Sequence, residues 1–319
     1  MKAKLIQLNE QQFFIRFVPI ILLLIMGIGF NIATGGRFGT AANLNLIVTQ
    51  AVIVATVATG AVFIFGTGNI SIALGASTAI TSVIMARTYL RTESVPMMIV
   101  VAIVVAVLIM VTTALLSTVL NVSVMFVSIV MMVLIQGIMQ TVLGAGTLSL
   151  PYAMTSALTR GNFHFWAFLI YFILCAIIFH FTGVGRSIKF LGSNKFCAEQ
   201  SGIFLNKYLI IAFIISGVGI GLAAIMTSIR TGTIGVSTAA SLNMDVVLAI
   251  VLGGMSVFGG TRSYIYAGVL GALTVTLLNN GLLMVGISPT ILQLVRGIFF
   301  LTLIFAGQKR PDRLPDKEV

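Results

Sequence analysis

Charge is what this sequence lacks most. Of 319 residues, only 8% are Asp, Glu, Lys or Arg, where soluble domains carry roughly 25%. A water-facing surface cannot be built from that inventory. No charged residue occurs between Ser94 and Thr159, or between Tyr208 and Ile229. Acid is scarcer than base: seven Asp and Glu are scattered along the chain and place no carboxylate pair in an apolar run. With no GxxxxGK[ST] phosphate loop either, nothing supports an enzyme. A carrier driven by a proton or ion gradient ordinarily shows acids within its membrane spans, and that class is disfavoured too. The two cysteines, Cys175 and Cys197, stand alone, with no metal-ligand spacing and no disulfide framework. No metal or cofactor is expected on this chain.

What is present is apolar. Hydrophobic residues make up 59% of the chain, in recurring runs of about 20, the length that crosses about 30 Å of hydrocarbon. The expected fold class is therefore all-α, a polytopic transmembrane bundle forming a single domain over 1–319. Ten spans are predicted: 18–34, 44–65, 71–89, 96–119, 122–143, 162–182, 208–228, 245–258, 264–285 and 290–307. The joints at Asn121 and GTGN carry no charge, which leaves eight crossings with re-entrant pieces as the other count. The basic N-terminal stretch before the first run is too long for a signal peptide and has no A-x-A-like site, so the first helix is read as retained.

Net charge is +11, but the basic residues sit in short loops and form no basic and aromatic face of the kind nucleic acid needs. They follow topology instead. With an inner N-terminus and ten crossings, twelve of the 18 Lys and Arg fall in cytoplasmic segments and five outside, with Arg296 inside the last span. That bias favours both termini in the cytoplasm. It also places there the one polar interruption of the chain's middle, FLGSNKFCAEQSGIFLNKY, Phe190 to Tyr208. Within it NKFCAEQSG suits a short helix, with Gly202 as its C-terminal stop.

The residues that could carry function are few. GTGNISIALG holds Gly66, Gly68, Asn69 and Ser71, a helix break that must be buried in protein or line a cavity. GGMSVFGG, Gly253 to Gly260, loosely resembles it, so a pseudo-repeat of two halves is one expectation. SLNMDVV puts Asn243 or Asp245 at a helix N-cap; the other reading of Asp245 is a gate or an ion pair with Arg296, which needs a partner in the membrane. Asn279 and Asn280 lie in the following span. His164 and His180 lie at the ends of one run, where aromatic rings commonly meet the membrane interface.

Several stretches together resemble the permease subunits of bacterial ABC importers for simple sugars, the ribose-type permeases, from about Phe38 to Gln308. LNMDVVLAIVLGGMSVFGG is similar to that family's L-D-x-I-A-x-V-V-L-G-G-x-S-x-x-G-G segment. AGVLGALTVTLLNNGL and Arg296–Gly297 follow in the family's manner. The polar loop resembles its G-x-N-x-x-A-x-x-x-G-I loop through Gly192, Asn194, Ala198, Glu199, Ser201 and Gly202. GTGNISIALG looks like its G-G-I-D-L-S-V-G, departing from it with Asn69 for Asp and Ala73 for Gly.

The resemblance implies a multi-pass protein of the bacterial inner membrane that imports a monosaccharide or similar small polar solute. Residues 184–207 would be a docking loop for cytoplasmic ATPase subunits, which hold the ATP and Mg. Gly66, Gly68, Asn69, Ser71, Asp245, Asn279 and Asn280 would lie along the path or its gate. A second permease copy or homologue, an extracytoplasmic binding protein and membrane lipid would be the other partners. Permeases for branched-chain amino acids and nucleosides share the architecture and remain alternatives, as does a gradient-driven secondary transporter.

Overall fold

The computed structural model describes residues 19–144, 146–256, 259–261 and 263–307. The N-terminal segment, Arg262 and the basic C-terminal stretch lie outside the described residues, and so does the expected placement of both termini. Thirteen helices occur among the described residues: α1 (Pro19–Ala33), then α2 (Ala41–Gly66), α3 (Leu74–Thr92), α4 (Val95–Leu120), α5 (Val124–Leu143), α6 (Tyr152–Arg160), α7 (Phe163–Phe181), α8 (Gly183–Ser193), α9 (Lys195–Gln200), α10 (Leu205–Thr231), α11 (Leu242–Leu252), α12 (Ile265–Met284) and α13 (Pro289–Gly307). Each of the ten spans read from the sequence overlaps one of these helices. The additional three, α6, α8 and α9, are short and connect the longer ones. Two-residue strands β1 (Leu148–Ser149) and β2 (Thr233–Ile234) pair antiparallel beside α6.

Among the described residues six helices, α2, α4, α5, α7, α10 and α12, are long and apolar enough to cross a membrane. Their burial is unequal, and this sets the architecture. In its most apolar stretch α2 is 83% buried, against 22% for α5 and for α7. So α2 is the central post, and α4, α5 and α7 turn residues such as Val104, Leu108, Val133, Leu134 and Ile170 outward.

Lipid offers no hydrophobic gain for bringing helices together, so small residues and close backbone approach do that work. Gly217 lies against the Val107 backbone and Gly221 against that of Ile103, which makes α10 and α4 antiparallel. Gly60 meets Ser216 while Gly219 meets Thr56, so α10 is antiparallel to α2 as well. On the other flank Gly268 meets Ala58, and α12 runs antiparallel to α2. The carboxyl ends of α2 and α7 therefore gather with α8 and the amino ends of α10 and α12. This is the loop end of the molecule; β1, β2 and α6 lie at the far end.

Two helices do not run the full length. Among the described residues the expected crossing at 245–258 is helical only as α11, which at 1.5 Å per residue rises about 16 Å, half of the hydrocarbon thickness. Gly253 and Gly254 end it, the latter at φ +84°. Before α3 the chain is non-helical from Thr67 to Ala73.

Candidate translocation path and docking site

The amino end of α11 carries a buried charge. Asp245 is 4% exposed. Its carboxylate lies 3.2 Å from the guanidinium of Arg296 on α13. Arg296 donates from Nε to the Asn279 side-chain oxygen at 2.7 Å, and the Asn279 amide donates to the same Asp245 oxygen at 3.1 Å. The result is a closed triangle joining α11, α12 and α13. The ion-pair reading of Asp245 holds, and each charge has the partner that burial demands. Asn280 is buried beside it on α12.

Neither Asn243 nor Asp245 is the N-cap of its own helix, as the local spelling suggested. That position is Ser241, whose side chain makes no capping bond. Asn243 instead caps a different helix: its side-chain oxygen accepts the Gly75 backbone N–H at 2.6 Å. Gly75 is required there, because an added Cβ would fall 2.9 Å from that same oxygen and would strike the Ala239 carbonyl. The amino ends of α3 and α11 thus meet. The depth of the meeting point can be read along α5: Ile72 donates its N–H to the Ser128 hydroxyl at 3.1 Å, and the Asn243 amide reaches Met132 Sδ at 3.5 Å, one turn farther in. Beside the junction lies a cleft of about 20 Å³ lined by Gly75, Ala76, Gln136, Thr238 and Asn243 among others, room for about one water.

The segment Thr67–Ala73 leads from the carboxyl end of α2 to this junction. Non-helical backbone at membrane depth survives only when buried in protein or lining a cavity, and Thr67 and Ser71 are fully buried. The Ser71 hydroxyl has no hydrogen-bond partner. Asn69, the departure from the family spelling, donates its amide to Thr67 Oγ1 at 3.0 Å while Thr67 donates to the Ile64 carbonyl at 2.7 Å. A carboxylate has no N–H to supply that bond. With Asp at 69 the Thr67 hydroxyl would have to turn from the Ile64 carbonyl to donate to the carboxylate instead.

At the loop end the polar segment forms α8 and α9. Thr182 caps α8 by accepting from Val184 N–H, and Asn194 caps α9 by accepting from Cys197 N–H at 3.1 Å. Gly202 stops α9 at φ +78°, with its N–H on the Glu199 carbonyl and that of Ile203 on Ala198. Ala198 is fully buried, whereas Phe196 and Phe204 are 69% and 65% exposed, and Lys195 and Glu199 on the same segment are exposed too. The inner side of α8 reaches the two helix breaks. A Cβ on Gly192 would collide with the Gly66 carbonyl and the Gly260 nitrogen.

So the structure gathers the sequence candidates into two groups. Gly66 and Gly68 lie with Gly192 at the loop end, and Asp245, Asn279 and Asn280 lie deeper. Asn69 and Ser71 lie on the strand of chain between them. Gln136 and the Gly75–Asn243 pairing had escaped the sequence reading. An isolated Gln in an apolar helix was the available signal for the first; the second pairs residues 168 positions apart. His164 is half-buried against the Met226 carbonyl at 3.2 Å, and His180 is exposed with its ring on the Ala176 carbonyl. Among the described residues no group of three His, Cys, Asp or Glu could hold a metal ion.

One consequence is local. Gly202 has nothing within 4 Å of an added Cβ, so Gly202→Val acts only through its left-handed backbone, at about 1–2 kcal/mol. The variant is expected to reach the membrane at normal abundance and, if the loop docks an ATPase as the family resemblance implies, to lose coupling between ATP hydrolysis and transport. Parallel assays of uptake and of partner ATPase activity check this, and unchanged coupling would count against a docking role.

Residues 43–306 match the family described as branched-chain amino acid transport system / permease component. The chain is 26% identical over 284 residues to the ribose import permease protein RbsC of Escherichia coli K12, covering 86% of this chain and 88% of that one. It is 24% identical over 311 residues to the fructose import permease protein FrcC of Rhizobium meliloti, covering 91% and 84%. A shorter match, 32% over 139 residues, is to the probable ABC transporter permease protein YphD of Escherichia coli K12, covering 44% and 42%. No solved structure is a significant match.

Proposed function

Because the chain belongs to the family of branched-chain amino acid transport system permease components, we propose that it is the permease subunit of an ATP-binding-cassette importer in the bacterial inner membrane, and that its cargo is a monosaccharide or similar small polar solute. The observation that carries the reading is the α8–α9 segment. An apolar bundle has no internal use for a polar loop that turns Phe196, Phe204, Lys195 and Glu199 outward while its other face touches both helix breaks. A cytoplasmic ATPase seated there would have a direct mechanical purchase on the path. ATP and Mg would be held by that partner, and this chain would hydrolyse nothing.

A second permease copy or homologue completes the path in this reading, and an extracytoplasmic binding protein delivers the solute. Closure of the ATPases favours one arrangement of the bundle over the other through contacts that differ between the two states. The lean toward sugar rests on the ribose and fructose permeases, which align along most of the chain.

The test is uptake of labelled ribose and fructose into vesicles holding the chain, its genomically neighbouring ATPase and the binding protein. Sugar uptake that requires ATP and both partners is expected. Uptake by the chain alone, driven by a proton gradient and indifferent to ATP, would overturn the importer reading. ATP-driven uptake of leucine or a nucleoside, with no sugar uptake, would keep the importer and replace its cargo.

A further inference from the structure

Two helix breaks far apart in the sequence, after α2 and after α11, come together at the inner face of α8, and they meet through backbone rather than side chains. Gly260 N–H points at the Gly66 carbonyl at 3.4 Å. Thr261 N–H donates to the Ser193 hydroxyl at 3.1 Å, and that hydroxyl donates to the Lys189 carbonyl at 2.8 Å. A Cβ on Gly259 would strike the Phe65 carbonyl; one on Gly260 would lie 3.1 Å from Ser193 Oγ; one on Gly66 would lie 2.6 Å from Ile188 Cγ2. Gly259 and Gly260 hold φ of +71° and +93°. Ser263, fully buried, donates to the Gly260 carbonyl at 2.8 Å and fixes the turn from behind.

The backbone contacts among Gly66, Gly192, Gly259 and Gly260 have no rotamers to yield, and closely packed interfaces switch between discrete arrangements rather than deforming smoothly. On the reading of the chain as an importer permease, we propose that α8, the carboxyl end of α2 and the turn at Gly259–Thr261 form one rigid joint that moves as a unit, with Gly192 and Ser193 as its positioning residues. The consequence falls on α11. One strand of chain, Thr67–Ala73, runs from the joint to Gly75 and so to Asn243 at the amino end of α11. The connection that closes in the 259–261 turn leads back to its carboxyl end. Displacement of the docking loop is thereby delivered, through Thr67–Ala73 and the Gly75–Asn243 bond, to the helix that carries Asp245.

Cross-linking tests this. Ser193→Cys and Thr261→Cys are introduced together with Cys175→Ala and Cys197→Ser, and the protein is assembled in vesicles with its ATPase and binding protein. Oxidation is expected to form the disulfide with equal yield in the presence and absence of ATP, and the oxidised protein is expected to keep the uptake of its own reduced form. Failure to cross-link, a yield that changes with ATP, or uptake lost on oxidation and restored by reductant would each show that the parts slide, and would overturn the joint. In a second arm, Gly192→Ala is expected to lower uptake roughly tenfold, as overpacking a backbone contact displaces one part from the other, while the ATPase still co-purifies. Uptake at the unaltered level would also overturn the proposal. Absence of ATP-driven uptake by the unaltered chain would instead count against the importer reading, because the cross-linking yields report on the joint without any transport.

Discussion

Asp245→Ala is expected to remove most of the protein from the membrane and to abolish transport by what remains. The substitution strands the Arg296 guanidinium, whose side chain is 11% exposed, without a counter-charge, and leaving a buried charge unpaired costs about 3–5 kcal/mol. It also takes from the Asn279 amide its acceptor. Replacing both charges by apolar residues of similar volume is often neutral in stability, so Asp245→Leu with Arg296→Met should restore most of the abundance, short of the cost of leaving the Asn279 amide without either partner. Transport should not return with it, if the triangle belongs to the path or its gate. The measurement is membrane abundance and uptake side by side. Recovery of both together in the double variant would reduce the triangle to a scaffold.

Gly271→Leu should be nearly as damaging, for a steric reason. Gly271 on α12 faces the Ala249 carbonyl of α11, and Gly253 at the end of α11 faces the Ala267 carbonyl of α12. The two helices are keyed into one another by an absent side chain on each. Overpacking a filled interface costs about 1–3 kcal/mol and occasionally more, and here the obstacle is backbone, which has no rotamer to move. Thermal unfolding in detergent is expected to shift markedly downward for Gly271→Leu and to stay unchanged for Gly29→Ala. Gly29 on α1 has nothing within 4 Å of an added Cβ. Equal shifts in both variants would show that the α11–α12 contact is looser than its geometry.

Much of this was legible in the sequence for a simple reason: the bilayer allows few solutions. Apolar runs of crossing length become helices because no other spanning structure satisfies their backbone, and each of the ten predicted runs overlaps one. The short helix at Lys195–Gln200 and its stop at Gly202 could be read because capping is local, a matter of a few adjacent residues. The pairing of Asp245 with Arg296 was foreseeable because an arginine among apolar residues has few stable options. What could not be read is non-local. Asn243 looked like a cap for the helix it begins, but the cap position of that helix is Ser241, two residues earlier; the Asn243 oxygen goes to Gly75 on α3. Likewise Gly66, Gly192 and Gly260 appear in the sequence as three unrelated punctuation marks. Only the antiparallel packing of α12 and α10 on α2 brings their backbones together. The helix α6 was missed because YAMTSALTR is neither apolar enough to read as a span nor marked by turn residues.

The short length of α11 has a further consequence, for how the protein is made. A helix enters lipid from the insertion machinery on the strength of its own apolar length, and six helices here have enough of it. With 11 residues and an aspartate in its first turn, α11 does not. Nor is α3 apolar enough to be among the six, with Arg87 and Arg91 near its end. The expected order of biogenesis is therefore two-staged. The long helices anchor first, and α11 is drawn in afterward by α12 through its glycine keys and by the partners waiting for its charge. The part of the chain best placed to move during transport is also the part that the bilayer by itself would not retain.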